Sequence, residues 1–222
     1  MKNPLSTEAM AKRIAREFPD GSFVNLGIGL PTLASSFVPE GKSVVFQSEN
    51  GLLGYGPLAS PGEEDPELVN AGGQFVTLLP GASIFNQAEA FAMIKGGHID
   101  IGVLGALEVS EEGDLANWFV PDRGVGRIGG AMDVAVGVKK LIIAMRHTTK
   151  DGKPKIVNKC TYPLTAKKVV KVVVTDLAVI EVTEDGMLLK EVAPGFTAED
   201  IQAVTEPKLR LSNDLKEIDT SY

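Results

Sequence analysis

The feature that most restricts the fold is a set of short, almost wholly apolar runs separated by helix-length segments. Ile99 to Leu104 and Leu141 to Met145 leave hardly a polar position for solvent. Strands apolar on both faces belong in a parallel sheet covered by helices on each side. Amphipathic stretches supply the cover. Met10, Ala11, Ile14, Ala15 and Phe18 recur at spacings of three and four, which predicts a helix over 7–18, stopped by Pro19-Asp20-Gly21. Phe23 to Leu26, Ser43 to Gln47 and Phe75 to Leu79 are expected strands. Pro31 fits the first turn of a helix over 32–37, a position that needs no backbone donor.

After Gly51 the chain passes Pro57, Pro61 and Gly62, a density of breakers that predicts an irregular loop. Ser83 is the expected cap of a helix running to Lys95 and ended by Gly96-Gly97. The last third is β-branched over 169–174 and 177–182, with Asp185-Gly186 as a hairpin turn before Met187. Thr197-Ala198-Glu199-Asp200 reads as a capping box with Asp in the usual Glu place. No linker, repeat or low-complexity tract interrupts the chain. The expectation is one domain over 1–222, an α/β fold with an open, largely parallel sheet flanked by helices and a small antiparallel C-terminal portion.

Composition narrows the function. With 222 residues, 44% of them hydrophobic, the chain can bury roughly 70% of its unfolded surface. The net charge of −7 offers no general attraction to nucleic acid or an anionic membrane. One cysteine, Cys160, excludes an internal disulfide, and with only His98 and His147 beside it little remains for a metal site. The N-terminal segment scatters its charges and has no apolar core, so neither a secretory signal nor an anchor is expected, and the chain reads as cytoplasmic.

Glycine is over-represented, 24 in 222 against ~7% in an ordinary chain, and it clusters where apolar runs end. Gly27-Ile28-Gly29 follows the first strand and could offer backbone N–H groups to an anion, although its spacing is not a dinucleotide fingerprint. Glu49 directly follows another strand and is succeeded by Asn50 and Gly51. In open parallel sheets ligands bind beyond the carboxyl ends of strands, where a carboxylate serves as base or nucleophile; a solvated loop charge or a cap is the competing reading. Gly124 to Asp133 places Gly126, Gly129 and Gly130 before a small-residue helix start, a possible source of oxyanion donors. Asp133 equally suits a first-turn acid. Arg123 and Arg127 are the local cations for a phosphate-bearing ligand, with surface ion pairing as the alternative. A Cys160–His147 pair would permit thiol chemistry, but a lone cysteine is more often a small buried apolar group. His98 reads as a helix-exit residue, and Trp118 as core or interface.

Taken in order, the segments NLGIGLPT (25–32), QSENGLLGYGP (47–57), LVNAGG (68–73), FAMIKGGHID (91–100), GDLANW (113–118) and GGAMD (129–133) resemble the β subunit of family I CoA-transferases, the 3-oxoacid type. The resemblance implies that Glu49 is the nucleophile, that Asn25 is a pocket asparagine beside it, and that Gly129 and Gly130 line the reaction centre and its oxyanion site. Gly27, Gly29, Asn50, Gly51, Arg123 and Arg127 become candidates for contacts to CoA. Many members carry a PGK-type segment where this chain has Pro121-Asp122-Arg123-Gly124-Val125-Gly126-Arg127.

The resemblance further implies an α subunit as partner, in a heterodimer or heterotetramer, and no permanently bound cofactor, with coenzyme A as substrate and covalent intermediate. The implied reaction moves CoA from an acyl-CoA such as succinyl-CoA or acetyl-CoA to a 3-oxoacid or short-chain acid. An acyl-CoA hydrolase using the same glutamate, or a non-catalytic ligand-binding domain, stays as the alternative.

Overall fold

The computed structural model describes residues 2–121, 124, 126 and 129–220. In chain order the elements are α1 (Thr7–Ala15), β1 (Phe23–Leu26), α2 (Leu30–Leu33) with a 3-10 turn (Ala34–Phe37), β2 (Val45–Ser48), β3 (Leu52–Leu58), β4 (Val76–Ile84), α3 (Gln87–Lys95) and β5 (Ile101–Leu104). They continue with β6 (Glu108–Ser110), β7 (Leu115–Ala116), α4 (Ala131–Gly137), β8 (Lys140–Met145), β9 (Ile156–Val157), β10 (Val170–Thr175), β11 (Ala178–Thr183), β12 (Gly186–Val192), α5 (Ala198–Gln202) and β13 (Arg210–Glu217).

Ten strands form one sheet in the order β13-β12-β11-β10-β8-β5-β1-β2-β3-β4, and β7-β6-β9 form a small second sheet. The centre, β10-β8-β5-β1-β2, is parallel throughout. The apolar runs face both ways, as their composition requires. Ile101, Val103, Ile142, Ala144, Val172 and Val174 enter the core beneath α1 and α2. Leu104, Leu141, Ile143, Met145 and Val173 enter the opposite core with residues of α3, α4 and α5.

Four elements depart from the sequence expectation. The stretch after Gly51, expected to be irregular, opens with β3, a strand paired on both sides. It tolerates its breakers because the β3–β4 ladder is bulged on either side of Tyr55. Gly54 takes φ +79° there, with Ala82 Cα only 3.2 Å from where its Cβ would lie. β4 continues through Pro80-Gly81, which an edge strand allows, since a missing donor on the open side costs no ladder bond. Ser83 therefore pairs with Leu53 in β4 rather than capping a helix. The cap of α3 is Asn86, in a reciprocal box with Glu89. At the C-terminus the antiparallel β10-β11-β12 run is extended by β13, parallel to β12. Its polar composition hid it from a hydrophobic-pattern reading.

Other expectations hold. Pro31 sits in the first turn of α2. Gly186 begins β12 at φ +107°, and Thr197 and Asp200 make the expected capping box of α5.

Candidate active site

The site begins with a change of direction in the sheet. β1 is flanked by β2, which follows it in sequence, on one side and by β5 on the other. The loops after β1 and β5 therefore leave in opposite directions and open a crevice at their carboxyl ends. A cleft of about 340 Å³ lies there, lined by Asn25, Gly27 and Ile28 from β1 and its exit, and by Leu104 and Gly105 after β5. Glu49, Asn117, Gly129, Gly130 and the start of α4 complete the wall.

Glu49 reaches this place through a tight hairpin. β2 pairs antiparallel with β3, with Ser48 opposite Leu52, so Glu49-Asn50-Gly51 is the whole connection. Gly51 N–H donates to Ser48 O at 3.0 Å, and Gly51 takes φ +118°, the pattern of a three-residue hairpin loop closed by a glycine. Nothing but glycine fits: a Cβ at 51 would lie 2.0 Å from Phe85 O. The turn is tied to the 68–73 loop by Asn50 Nδ2, which donates to Val69 O at 2.7 Å, and by Ala71 N–H, which donates to Ser48 Oγ at 2.9 Å.

The half-buried Glu49 carboxylate accepts from Asn25 Nδ2 at 3.1 Å. Asn25 is itself buried in β1, and the same nitrogen donates to Gln47 Oε1 at 2.7 Å and to Gln47 O at 3.3 Å. On the far side, Gly130 approaches closely enough that an added Cβ would lie 3.6 Å from Glu49 Cγ and 2.8 Å from Phe91 Cζ. The glycine leaves the backbone bare beside the carboxylate. Below it the buried Tyr55 packs on Phe46 at 5.6 Å between ring centroids. Burial, and then the charge of Glu49, push its phenol above the ordinary range, so it stays neutral.

Five of the residues singled out from sequence thus meet around one cleft: Asn25, Gly27, Glu49, Gly129 and Gly130. Gly29, Asn50 and Gly51 do not line it. Gly29 precedes α2 at φ +88° with open space at its Cβ position, and Asn50 and Gly51 shape the Glu49 turn. Arg123 and Arg127 lie outside the described residues.

Gln47 and Asn117 were missed by sequence reasoning. The signal for Gln47 was a lone amide in the apolar run Val44-Val45-Phe46-Gln47; for Asn117 it was the asparagine in GDLANW. Asn117 Nδ2 donates to Gly105 O at 3.0 Å and its Oδ1 accepts from Thr165 Oγ1 at 2.6 Å. It therefore holds the β5 exit against the small sheet.

The thiol alternative fails on chemistry. Burial, then the charges of Glu108 and Asp114, push the Cys160 thiol up to about 12, the reverse of nucleophile activation. Both ring nitrogens of His147 face threonine hydroxyls, Thr175 Oγ1 and Thr205 Oγ1, each at 2.9 Å. His98 is an exposed residue just past α3, and Asp133 is a first-turn acid of α4 paired with Lys95 at 3.0 Å. Trp118 packs beside Phe119 and donates from Nε1 to Leu164 O at 3.2 Å. Among the described residues no His, Cys, Asp or Glu cluster could hold a metal ion.

A carboxylate held by the buried Asn25 amide lines a cleft at the switch point of a doubly covered α/β sheet. Residues 7–203 match the family described as coenzyme A transferase, and the chain belongs to that family, among the β subunits of the 3-oxoacid type.

The chain is 48% identical over 203 residues to the β subunit of 3-oxoadipate CoA-transferase of Acinetobacter baylyi, covering 90% of this chain and 93% of that one. Against the β subunit of acetate CoA-transferase of Escherichia coli K12 the identity is 49% over 208 residues, covering 94% and 95%. The corresponding subunit of succinyl-CoA:3-ketoacid coenzyme A transferase of Helicobacter pylori 26695 is 48% identical over 204 residues, covering 92% and 98%.

Among solved structures, the acyl-CoA transferase YdiF of Escherichia coli O157:H7 superposes with a TM-score of 0.75 at 20% identity over 99% of this chain, which spans only 44% of YdiF. The decarboxylase AibA/AibB shares the fold with a TM-score of 0.71 at 20% identity, covering 98% of this chain and 90% of that one. The fold by itself therefore hosts more than one reaction, and the site must decide between them.

Proposed function

We propose that residues 1–222 act as one CoA-transferase domain, the β subunit of an enzyme that pairs with an α subunit in a heterodimer or heterotetramer. It moves CoA from an acyl-CoA, succinyl-CoA or acetyl-CoA, to a 3-oxoacid or short-chain carboxylic acid. The unbroken ten-stranded sheet supports the single domain. The relatives, each named as one subunit of its enzyme, match this chain over nearly their full length, which supports the partner. No helix among the described residues is long and apolar enough to cross a membrane; a cytoplasmic location, where a lone thiol stays reduced, belongs to the same proposal.

The observation that carries the mechanism is the Glu49 carboxylate, fixed by Asn25 at 3.1 Å in a cleft whose opposite wall is the bare backbone of Gly130. Exchange of acids on a thioester without hydrolysis requires an intermediate that keeps the activated bond, and a carboxylate nucleophile provides one. Glu49 attacks the acyl-CoA carbonyl and expels CoA thiolate, forming an acyl-glutamyl anhydride. The thiolate attacks the glutamyl carbonyl, releasing the first acid as its carboxylate and leaving a Glu49–CoA thioester. The incoming carboxylate attacks that thioester and frees the thiolate again. The thiolate then takes the new acyl group and returns Glu49 to its free form. No proton is gained or lost over the cycle.

Glutamate is a weak nucleophile, so orientation and charge stabilisation supply the rate. Asn25 holds one carboxylate oxygen and so aims the other at the incoming carbonyl. Backbone N–H groups at Gly129-Gly130, if aimed at the tetrahedral oxyanion, contribute ~3 to 4 kcal/mol each. Gly27, Gly29, Asn50, Gly51, Arg123 and Arg127 are assigned to the CoA side of the cleft; for Asn50 and Gly51 the contribution is the shape of the turn. The three relatives carry the names of different acids at nearly equal identity, so the acid is left at the level of its class. Water has to be excluded while the anhydride and thioester exist, because each is open to hydrolysis.

The test is Glu49→Gln in the assembled two-subunit enzyme. Transfer falls by roughly four orders of magnitude or more, with assembly and thermal midpoint unchanged. Wild-type enzyme mixed with acyl-CoA gains a CoA-sized mass on the Glu49 peptide that hydroxylamine removes. Retained turnover in the variant, or label appearing only as free CoA, would return the site to a different base or to a hydrolase.

A further inference from the structure

Gln47 is fully buried in β2 and does not line the cleft. A wholly buried amide in a strand of Val and Phe is costly unless each polar end is matched. Both ends are matched here, and the partners form a chain. Nε2 of Gln47 donates to the backbone carbonyl of Ala90 in α3 at 3.3 Å, and Oε1 accepts from Asn25 Nδ2 at 2.7 Å. Asn25 Nδ2 then donates to Glu49 Oε2 at 3.1 Å. Asn25 and Gln47 are directly opposite in the β1–β2 ladder, so their side chains emerge on one face of the sheet. Glu49 is two residues beyond Gln47, one strand period further on.

We propose that Gln47 is a positioning residue for the reaction: it dictates which end of the Asn25 amide faces the Glu49 carboxylate. The inference rests on the reading of Glu49 as the nucleophile. A carboxamide has a donor end and an acceptor end of nearly equal size, and only its neighbours decide which way it lies. The Ala90 carbonyl can only accept, so Gln47 must turn its NH2 toward α3 and its oxygen toward β1. Asn25 must then turn its own NH2 toward Gln47, and the same nitrogen supplies the hydrogen bond to Glu49. A flipped Asn25 would put its oxygen against Gln47 Oε1, the Gln47 backbone carbonyl and the carboxylate together, three acceptor-to-acceptor contacts of which the one to Oε1 is the shortest. The rotamer of the nucleophile is thereby set by a helix carbonyl through two side chains in sequence.

The position predicts an effect on turnover rather than on substrate affinity. In the assembled two-subunit enzyme, Gln47→Met, close in size and lacking both the donor and the acceptor, lowers kcat about 10- to 100-fold with KM within about twofold. The adduct on the Glu49 peptide forms correspondingly slowly in rapid-quench mass spectrometry. In an Asn25→Ala background the same substitution changes kcat by less than about twofold, because its only route to Glu49 is already cut. Gln47→Leu serves the same comparison if the Met variant does not assemble. Equal losses with and without the Asn25 amide overturn the inference and leave Gln47 as packing. A wild-type enzyme that acquires CoA on Glu49, together with a Gln47→Met enzyme that does so at the same rate, overturns the inference alone. A wild-type enzyme that never carries CoA on Glu49 overturns the nucleophile reading and the inference with it.

Discussion

Position 51 shows how a single residue can shape a cleft that it does not line. The Glu49 turn closes only if the third loop residue has positive φ and no side chain, because Phe85 O occupies the place of a Cβ at 2.0 Å. Phe85 N–H donates to Gly51 O at 3.0 Å, so the segment leading into α3 is clasped to the turn that carries Glu49. Gly51→Ala must break that clasp or distort the turn, and it destabilises the chain by roughly 2 to 4 kcal/mol. A urea midpoint equal to wild type would show that the turn is not closed in this way. At this scale the sequence was informative where chemistry-bearing residues close strands or lead into a helix: Asn25, Glu49 and the Gly129-Gly130 pair converge in the structure. Gln47 left only a lone amide in an apolar run, and its role was not legible from that for a physical reason. Its importance comes from what lies across the ladder and from a helix carbonyl 43 residues away, and neither is encoded in local pattern.

Among elements, the lesson lies in 52–95. Hydrophobic period and breaker residues correctly marked β1, β5, β8, β10 and β11, whose strands carry a dense apolar signal. The same rules placed a loop over β3, because Gly54, Gly56 and Pro57 carry the local signature of irregular chain. Pairing on both sides overrode that signature, and bulges absorbed the misfit. The start of α3 moved for a related reason. Ser83 is a good cap in isolation, but β4 claims it, and the next competent pair is Asn86 with Glu89. Asn86 Oδ1 accepts from Glu89 N–H at 3.0 Å, and Glu89 Oε2 accepts from Asn86 N–H at 3.3 Å. Asn86→Ala removes the first of these and strands the second, costing about 1 kcal/mol. The variant's thermal midpoint falls accordingly, whereas Ser83→Ala, at an exposed position of the edge strand, leaves it within error. The reverse order of effects would restore the cap to Ser83.

For the whole molecule, the sheet gathers its far parts through a few buried polar contacts, and the most demanding is His147, at the exit of β8. It is fully buried, with Nδ1 2.9 Å from Thr175 Oγ1 at the end of β10 and Nε2 2.9 Å from Thr205 Oγ1 beyond α5. Thr205 directs its hydroxyl at Ile201 O at 2.7 Å and so accepts from Nε2–H, while Thr175 Oγ1 already accepts from Leu177 N–H and Ala178 N–H and has Ala178 O within 3.2 Å of its hydroxyl. A second proton, on Nδ1, would have to point at a threonine oxygen that already accepts two backbone N–H groups. Burial is the main cause of its low proton affinity; the charge of Asp176 opposes it and that of Lys155 adds to it, leaving a pKa of about 4 against an ordinary 6.5.

Unfolding releases the ring to bind a proton at any pH below 6.5, while the folded form resists protonation down to about 4. The unfolded state thus binds more protons across that window, and stability drains away as pH falls through it. Between pH 7 and pH 5 the loss amounts to about 2 kcal/mol from this residue alone. The depressed carboxylates do not confuse the measurement. Burial opposes the charge of Glu17, but Lys140 and Arg13 outweigh it, and Lys139 with the Phe23 N–H lowers Asp100. Their contribution, like that of the lowered Asp151, Glu199 and Asp200, is lost only as pH falls through the ordinary values of 4.5 and 3.8, below the pH 5 end of the measurement. Urea unfolding of wild type at pH 7 and pH 5 yields the slope. His147→Gln, whatever its stability at pH 7, removes about 2 kcal/mol of that pH dependence. An unaltered slope in the variant would mean that the bridge joining β8, β10 and α5 is open to protons in the folded chain.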